Sequence, residues 1–253
     1  MSDRGRRLAL FLPVVVTVVL AAVIGASVVV QQQKQSDRLA AADAAAEAFM
    51  SDVGMFKGAV AREIRGARTA EPADLRRVLR TALADPPRLG GAPSSGVTRS
   101  TAYAAAQETE AGLLQPYRRL DRALKEGAVA HTFITASREA LALRASDYVG
   151  STVLDDSRRI RSDLIPAFVA ARDRLVAVPV PDGQEQLAAT VRDAVQYVID
   201  QATTLAASIE ANRSFSFTYS DQFQAAAEAV DGYAAVVDGD VTEAIDTIVV
   251  AAP

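Results

Sequence analysis

The sequence predicts an all-α protein in which a single N-terminal transmembrane helix continues into an elongated antiparallel helical bundle. Three observations support this fold class: one long uncharged apolar run, apolar residues that recur every three or four positions afterwards, and no convincing period-two alternation. Half of the 253 residues are hydrophobic. Roughly a fifth are alanine, the residue with the highest helix propensity.

The apolar run covers residues 8–30 and is long enough to cross a bilayer, which takes roughly 20 apolar residues. Three arginines precede it and only two basic residues follow closely, which favours a cytoplasmic N-terminus. A cleaved signal peptide is the alternative, but its apolar core is shorter and residues 24–26 make a poor cleavage site. We expect a cytoplasmic tail at 1–7, an uncleaved bilayer anchor at 8–30 and an extracytoplasmic bundle at 31–253.

A second pattern follows the anchor. Seven apolar residues, which we call the seam, are spaced alternately three and four apart, as on a helix-pairing face. No proline lies between residues 27 and 71, so we expect the membrane helix to continue outward as a stalk. The seam would dock on other helices of the chain, or pair with a partner helix, a second copy included. Its members are Leu39, Ala42, Ala46, Phe49, Val53, Phe56 and Val60.

The next helix should begin at Pro72, because proline suits a first turn where its missing N–H is not needed. Residues 86–98, which follow that helix, are rich in proline, glycine and serine and lack apolar periodicity. This stretch is either an internal linker between two domains or an exposed loop within one bundle.

Two longer helical patterns follow. The first covers about residues 99–126, with a bend expected at Pro116 and a stop at Gly127. The second covers about residues 133–178 and is interrupted by Pro166.

The last third of the chain predicts two more helices. Asp182 and Glu185 have the spacing of a capping box for a regular amphipathic helix. The final helix carries Phe223 and is expected to break at residues 238–240, where Asp-Gly-Asp would form a turn and cap a short restart.

Composition excludes many kinds of chemistry. The chain has no cysteine and a single histidine, His131, so a thiol nucleophile, a cysteine-ligated metal and a multi-histidine site are all excluded. Phosphate-binding glycine loops, the GxSxG elbow and HExxH are absent. A formal net charge of −4 argues against nucleic-acid binding. The sequence therefore predicts no catalytic residue, no cofactor and no metal.

One aromatic cluster stands out because aromatic residues make up only 6% of the chain. Its members could contact a ligand or partner, or they could be the large core residues of an alanine-rich bundle. The residues predicted as candidate contacts are Phe215, Phe217, Tyr219 and Tyr233.

These features predict a non-enzymatic, single-pass scaffold or protein-interaction module of a bacterial cell envelope. The alternative is an extracytoplasmic ligand-binding or sensor domain that acts through a membrane partner, and a third hypothesis is an enzyme built from scattered carboxylates and arginines. In outline the plan resembles envelope proteins of high-GC Gram-positive bacteria and the sensory helical bundles of bacterial receptors. Those receptors return through a second membrane helix, for which this sequence has no comparable apolar run.

Overall fold

The computed structural model describes the backbone of residues 4–149 and 157–250, and the side chains of residues 31–149 and 157–250. Every regular element in these residues is helical and none is a strand, so the all-α prediction is confirmed. Apolar faces of these helices pack on one another to form helical-bundle cores.

The described residues form two compact units, and each unit combines two separate stretches of the chain. Unit 1 contains residues up to 59 and residues 85–115, and unit 2 contains residues 60–84 and 116–250. The stretch 86–98 lies within unit 1, where it includes the short helix α3 (Ser94–Val97).

Helix α1 (Arg4–Gly66) is 63 residues long. The predicted transmembrane segment, residues 8–30, falls in this helix, but its side chains lie outside those that the structure describes. Within residues 31–149 and 157–250, no helix is both long and apolar enough to span a membrane.

The core of unit 1 packs one face of α1 against helix α4 (Thr101–Gly112) and the chain beside it. Ser100 caps α4, because its hydroxyl accepts the N–H of Tyr103 at 2.8 Å and donates to Asp43 Oδ1 at 2.5 Å. Tyr103 in turn donates to the carbonyl of Gly90 at 2.9 Å, which fixes the preceding loop on α4. The buried members of this core are Ala42, Ala46, Phe49, Val53, Tyr103, Ala106 and Leu113.

Helix α2 (Pro72–Ala82) begins at Pro72, as predicted. Helix α5 (Gln115–Leu141) differs from the prediction, because it passes through Gly127 instead of stopping there. Gly127 is buried, and a Cβ at this position would lie 3.1 Å from Val241 Cγ2. Glycine is therefore explained by close packing inside a helix, and not by a helix end.

The predicted long helix at 133–178 is also wrong, because α5 ends at Leu141 and residues 142–145 are not helical before the short helix α6 (Ser146–Val149) begins. A π-helical turn (Ile160–Leu164) then leads into α7 (Ile165–Ala177). The interruption at Pro166 is confirmed. Proline has no N–H for the usual bond four residues back, and its ring crowds that carbonyl, so the helix widens by one residue. The Ile165 N–H accordingly bonds to the Ile160 carbonyl.

Helix α8 (Glu185–Glu210) forms where its apolar spacing predicts, but the capping box is wrong. Gln184 occupies the N-cap without a side-chain hydrogen bond, and Gly183, with φ of 77°, turns the chain just before it.

Helix α9 (Ser220–Val250) passes through residues 238–240 without the predicted break, so Asp240 does not cap a second helix. The buried stripe of α9 continues beyond this point at Ile245 and Ile248. Ending the helix at Gly239 would return both side chains to water, and each such exposure costs about 1.5–3 kcal/mol. That cost exceeds the roughly 1 kcal/mol penalty of one helical glycine.

The largest core lies in unit 2, where α5, α7, α8 and α9 bury their apolar faces together. Phe133 and Phe168 are its fully buried aromatic residues. Most of the other members are valine and alanine, which lets the helices approach closely.

In unit 1, Gly96 lies so close to α1 that an added Cβ would collide with the Arg38 carbonyl oxygen and lie 2.8 Å from the carbonyl carbon. We predict that Gly96→Ala lowers the free energy of unfolding by about 1–3 kcal/mol, because backbone cannot move aside as a side chain can. Gly112→Ala is the matched control, since open space surrounds it. Urea denaturation of both variants measures the difference, and equal stabilities would contradict the close approach.

Candidate functional site

Three of the four predicted aromatic contacts form one chain of rings. The centroids of Phe215 and Phe217 are 6.4 Å apart, and those of Phe217 and Tyr219 are 6.3 Å apart. Tyr219 then contacts Phe223 edge to face at 4.9 Å, and both rings contact the buried Phe168 at 6.4 and 6.2 Å. The structure therefore joins Phe215, Phe217 and Tyr219 to the core of unit 2.

Tyr219 also has a polar role. Its hydroxyl oxygen accepts the backbone N–H of Ala145 at 2.8 Å. This bond satisfies a donor in the segment between α5 and α6, which has left helical hydrogen bonding. The ring contacts and this bond explain the cluster as structural support, without requiring a ligand.

Tyr233 lies elsewhere, on the wall of a cavity of about 770 Å³ in unit 2 that we call the groove. Its walls are formed by α5, by α9 and by the turn that precedes α8. Valines line much of it, and Val180 and Val236 are exposed there, Val236 by 58%. The charged lining residues are Arg122, Lys125, Glu126, Asp182 and Asp240.

The surroundings of Tyr233 favour its neutral phenol form. Burial raises the pKa of the Tyr233 phenol, and the negative charge of Asp240 raises it further. A neutral phenol can both donate and accept a hydrogen bond. The groove can therefore offer an apolar surface, one orienting hydroxyl and charges of both signs to a bound molecule.

The sequence did not reveal this groove, because its lining comes from three segments that are distant in the chain. No local spacing rule connects Val129, Asp182 and Tyr233.

Most side chains of the predicted seam are buried or partly buried by the rest of the chain. Phe49 and Val53 are buried in the core of unit 1, and Leu39 and Phe56 are partly buried. Val60 is buried in unit 2. Phe49, Val53 and Val60 therefore pack within the helical units of the chain itself.

A polar network links α2 and α5 in unit 2. Asp121 accepts two hydrogen bonds from Arg76, at 2.7 Å from Nε and 3.0 Å from Nη2. Arg80 Nε donates to the same carboxylate at 3.4 Å. Hydrogen bonding to Arg76 holds the pKa of Asp121 below its usual value against the opposing effect of burial, and the charge of Arg80 adds to the lowering. The pKa of Arg76 is raised for the same reason.

In the described residues, no group of three or more histidine, cysteine, aspartate or glutamate side chains could hold a metal ion. Within residues 31–149 and 157–250, no carboxylate is buried. His131 Nε2 lies 3.7 Å from Glu71 Oε1 in a solvent-exposed contact.

Comparison with known proteins adds no relative. No family model, curated protein or solved structure matches the chain.

We predict that Asp121→Asn lowers the free energy of unfolding by about 1 kcal/mol at pH 7, because a partly exposed but bidentate ion pair is lost. Since the folded-state pKa of Asp121 is lowered, its contribution is complete above the unfolded pKa of about 3.9 and disappears as pH falls through the folded value. The deficit of the variant should therefore shrink below about pH 4.

Urea denaturation at pH 7 and pH 3 tests this dependence. Asp74→Asn is the matched control, because Asp74 pairs with Arg77 on the same helix but both side chains are more than half exposed. We expect it to cost less than about 0.5 kcal/mol. If Asp121→Asn lowers the free energy of unfolding equally at both pH values, the stabilising role of the Arg76–Asp121 ion pair is contradicted.

Proposed function

We propose that the chain is a single-pass membrane protein with a cytoplasmic N-terminus, and that its helical units form a non-enzymatic interaction module of a bacterial cell envelope. The anchor is residues 8–30, an uncharged apolar stretch with three arginines before it. Helix α1 includes this stretch and continues without a break to Gly66. This continuity supports the expectation that the membrane helix extends outward as a stalk.

The continuity of α1 from the apolar stretch into the core of unit 1 supports an anchored module. The same helix supplies Phe49 and Val53 to the core of unit 1. The anchor is thus joined to folded structure by helix and not by a flexible linker, whose glycine- and serine-rich composition is missing here. Because the seam is occupied within the chain, a partner has to bind another surface.

The groove is the observation that carries the interaction role. Val236 and Val180 are exposed beside the half-buried Tyr233, whereas the other valines of α5 and α9 that line it are better covered. Aromatic side chains in an apolar patch with a charged rim are typical of protein-binding surfaces. We propose that a partner protein inserts apolar side chains here.

A second candidate function is ligand binding by a sensor domain. The volume of the groove, about 770 Å³, falls within the roughly 300–1,000 Å³ of small-molecule sites. Tyr233 would orient such a ligand through its hydroxyl. The two candidates share the groove but differ in what occupies it.

Single-cysteine labelling tests the topology, because the chain has no native cysteine. We expect Gln222→Cys, an exposed position on α9, to react with a membrane-impermeant maleimide in intact cells. Ser2→Cys should react only after permeabilisation. Both variants should fractionate with membranes, and deletion of residues 8–30 should abolish this. The opposite labelling pattern, or a soluble full-length chain, would overturn the proposal.

Site-specific photo-crosslinking tests the groove. A benzophenone amino acid at Val236 should form a discrete protein adduct in native membranes, while the same group at Val176 should not. Val176 is the matched control, because it is 63% exposed and lies on α7, outside the groove. No adduct at Val236, together with a ligand-dependent rise in Tm that Tyr233→Ala removes, would favour the sensor instead. Equal adducts at both valines would argue against a specific surface.

A further inference from the structure

A cleft on the polar side of α2 is separate from the groove. It measures about 510 Å³ and lies within unit 2. Three arginines line it, Arg76, Arg77 and Arg80, and the remaining lining residues are alanine and threonine. No carboxylate lines this cleft among the described residues.

The packing of α2 places these arginines together. Leu75 and Leu79 are almost completely buried, so the rotation of the helix is fixed. Arg76 and Arg80, one turn apart, therefore point away from the core on the same side, and Arg77 lies beside them. Arginine spacing and apolar spacing on this helix are parts of one amphipathic pattern.

Asp121 of α5 orients two of the three guanidinium groups. It holds Arg76 through two hydrogen bonds and Arg80 through one, and it does so from outside the cleft. A guanidinium has five N–H donors, so Arg76 and Arg80 each keep donors free for another acceptor. Asp121 is thus a positioning residue for the cleft.

The charges around the cleft do not cancel. Three guanidinium groups face two carboxylates, Asp121 and Asp74, and the Asp74–Arg77 contact is a surface pair with Arg77 77% exposed. Surface pairs of this kind exchange readily for stronger partners, because solvent screens the attraction between the two charges. A positive cleft is left for an anion, and Asp121 orients two of its three guanidinium groups.

We propose that this cleft binds a phosphate group through Arg77 and Arg80, with Arg76 completing its positive wall. Phosphate fits the donors because its tetrahedral oxygens accept the parallel N–H pairs of guanidinium groups. A phosphate carrying more than one negative charge also neutralises the excess positive charge. The proposal does not depend on the groove or on membrane anchoring.

The test is isothermal titration of the full chain in a neutral detergent with inorganic phosphate, against sodium chloride at equal ionic strength. We expect saturable binding of one phosphate. Arg77→Gln/Arg80→Gln should weaken it at least about tenfold, since charge-assisted hydrogen bonds are lost. Arg138→Gln is the matched control, because Arg138 is a surface arginine paired with Asp231 elsewhere in unit 2. It should bind phosphate as the unchanged chain does.

A second arm identifies the source of the phosphate. Phosphatidic acid in the micelles should abolish inorganic phosphate binding if the natural ligand is a lipid headgroup, whereas phosphatidylcholine should not. If neither lipid changes the titration, the ligand is a soluble phosphate compound. Far-UV circular dichroism checks the fold, and the single variant Arg77→Gln replaces the double variant if that variant is unfolded.

The proposal is overturned if inorganic phosphate does not bind saturably. It is also overturned if the cleft variants bind as tightly as the unchanged chain. Equal weakening by Arg138→Gln would show a general charge effect and would overturn it as well.

Discussion

Burial of the apolar face of α1 is the constraint on which the core of unit 1 depends, and the same helix also contributes buried residues to unit 2. In unit 1 that face consists of small and large residues together, with alanines at 42 and 46 and the ring of Phe49. The alanines allow α4 to approach, and Tyr103 fills the remaining space with a ring whose hydroxyl reaches a backbone carbonyl. Farther along α1, Val60 and Ile64 are buried in unit 2. Each fully buried valine or isoleucine contributes about 1.5–3 kcal/mol, so this helix adds to the stability of both units.

The core of unit 2 likewise contains few large side chains. Its core is mainly alanine and valine, and Phe168 is the point where three other aromatic rings converge. Ser137 is fully buried there with a hydroxyl that has no hydrogen-bond partner in the described structure. Helices that pack so closely leave polar chemistry to their outer faces. This explains why the groove and the arginine cleft both lie at the margins of α5, with Asp121 directed to one and Arg122 to the other.

Local patterns in the sequence predicted the features that are themselves local. Helical class, the start of a helix at Pro72 and the interruption at Pro166 all follow from spacing or from the missing N–H of proline. The failures at Gly127 and at residues 238–240 share a cause, since tertiary packing there outweighs the low helix propensity of glycine. The groove and the Asp121 network escaped prediction because their side chains meet only after folding. Arg76 and Asp121, for example, are 45 residues apart in the chain.

The assembly of unit 1 from two separate stretches has a consequence during synthesis. Val53 leaves the ribosome about 50 residues before Tyr103, and at roughly 5–20 residues per second that is a delay of several seconds. During this interval the nascent α1 displays a continuous apolar stripe that nothing in its own chain can yet cover. A holding chaperone or an adjacent lipid surface would protect it, and a truncated translation product ending near residue 85 would expose it permanently. Such fragments should be among the most aggregation-prone products of this gene.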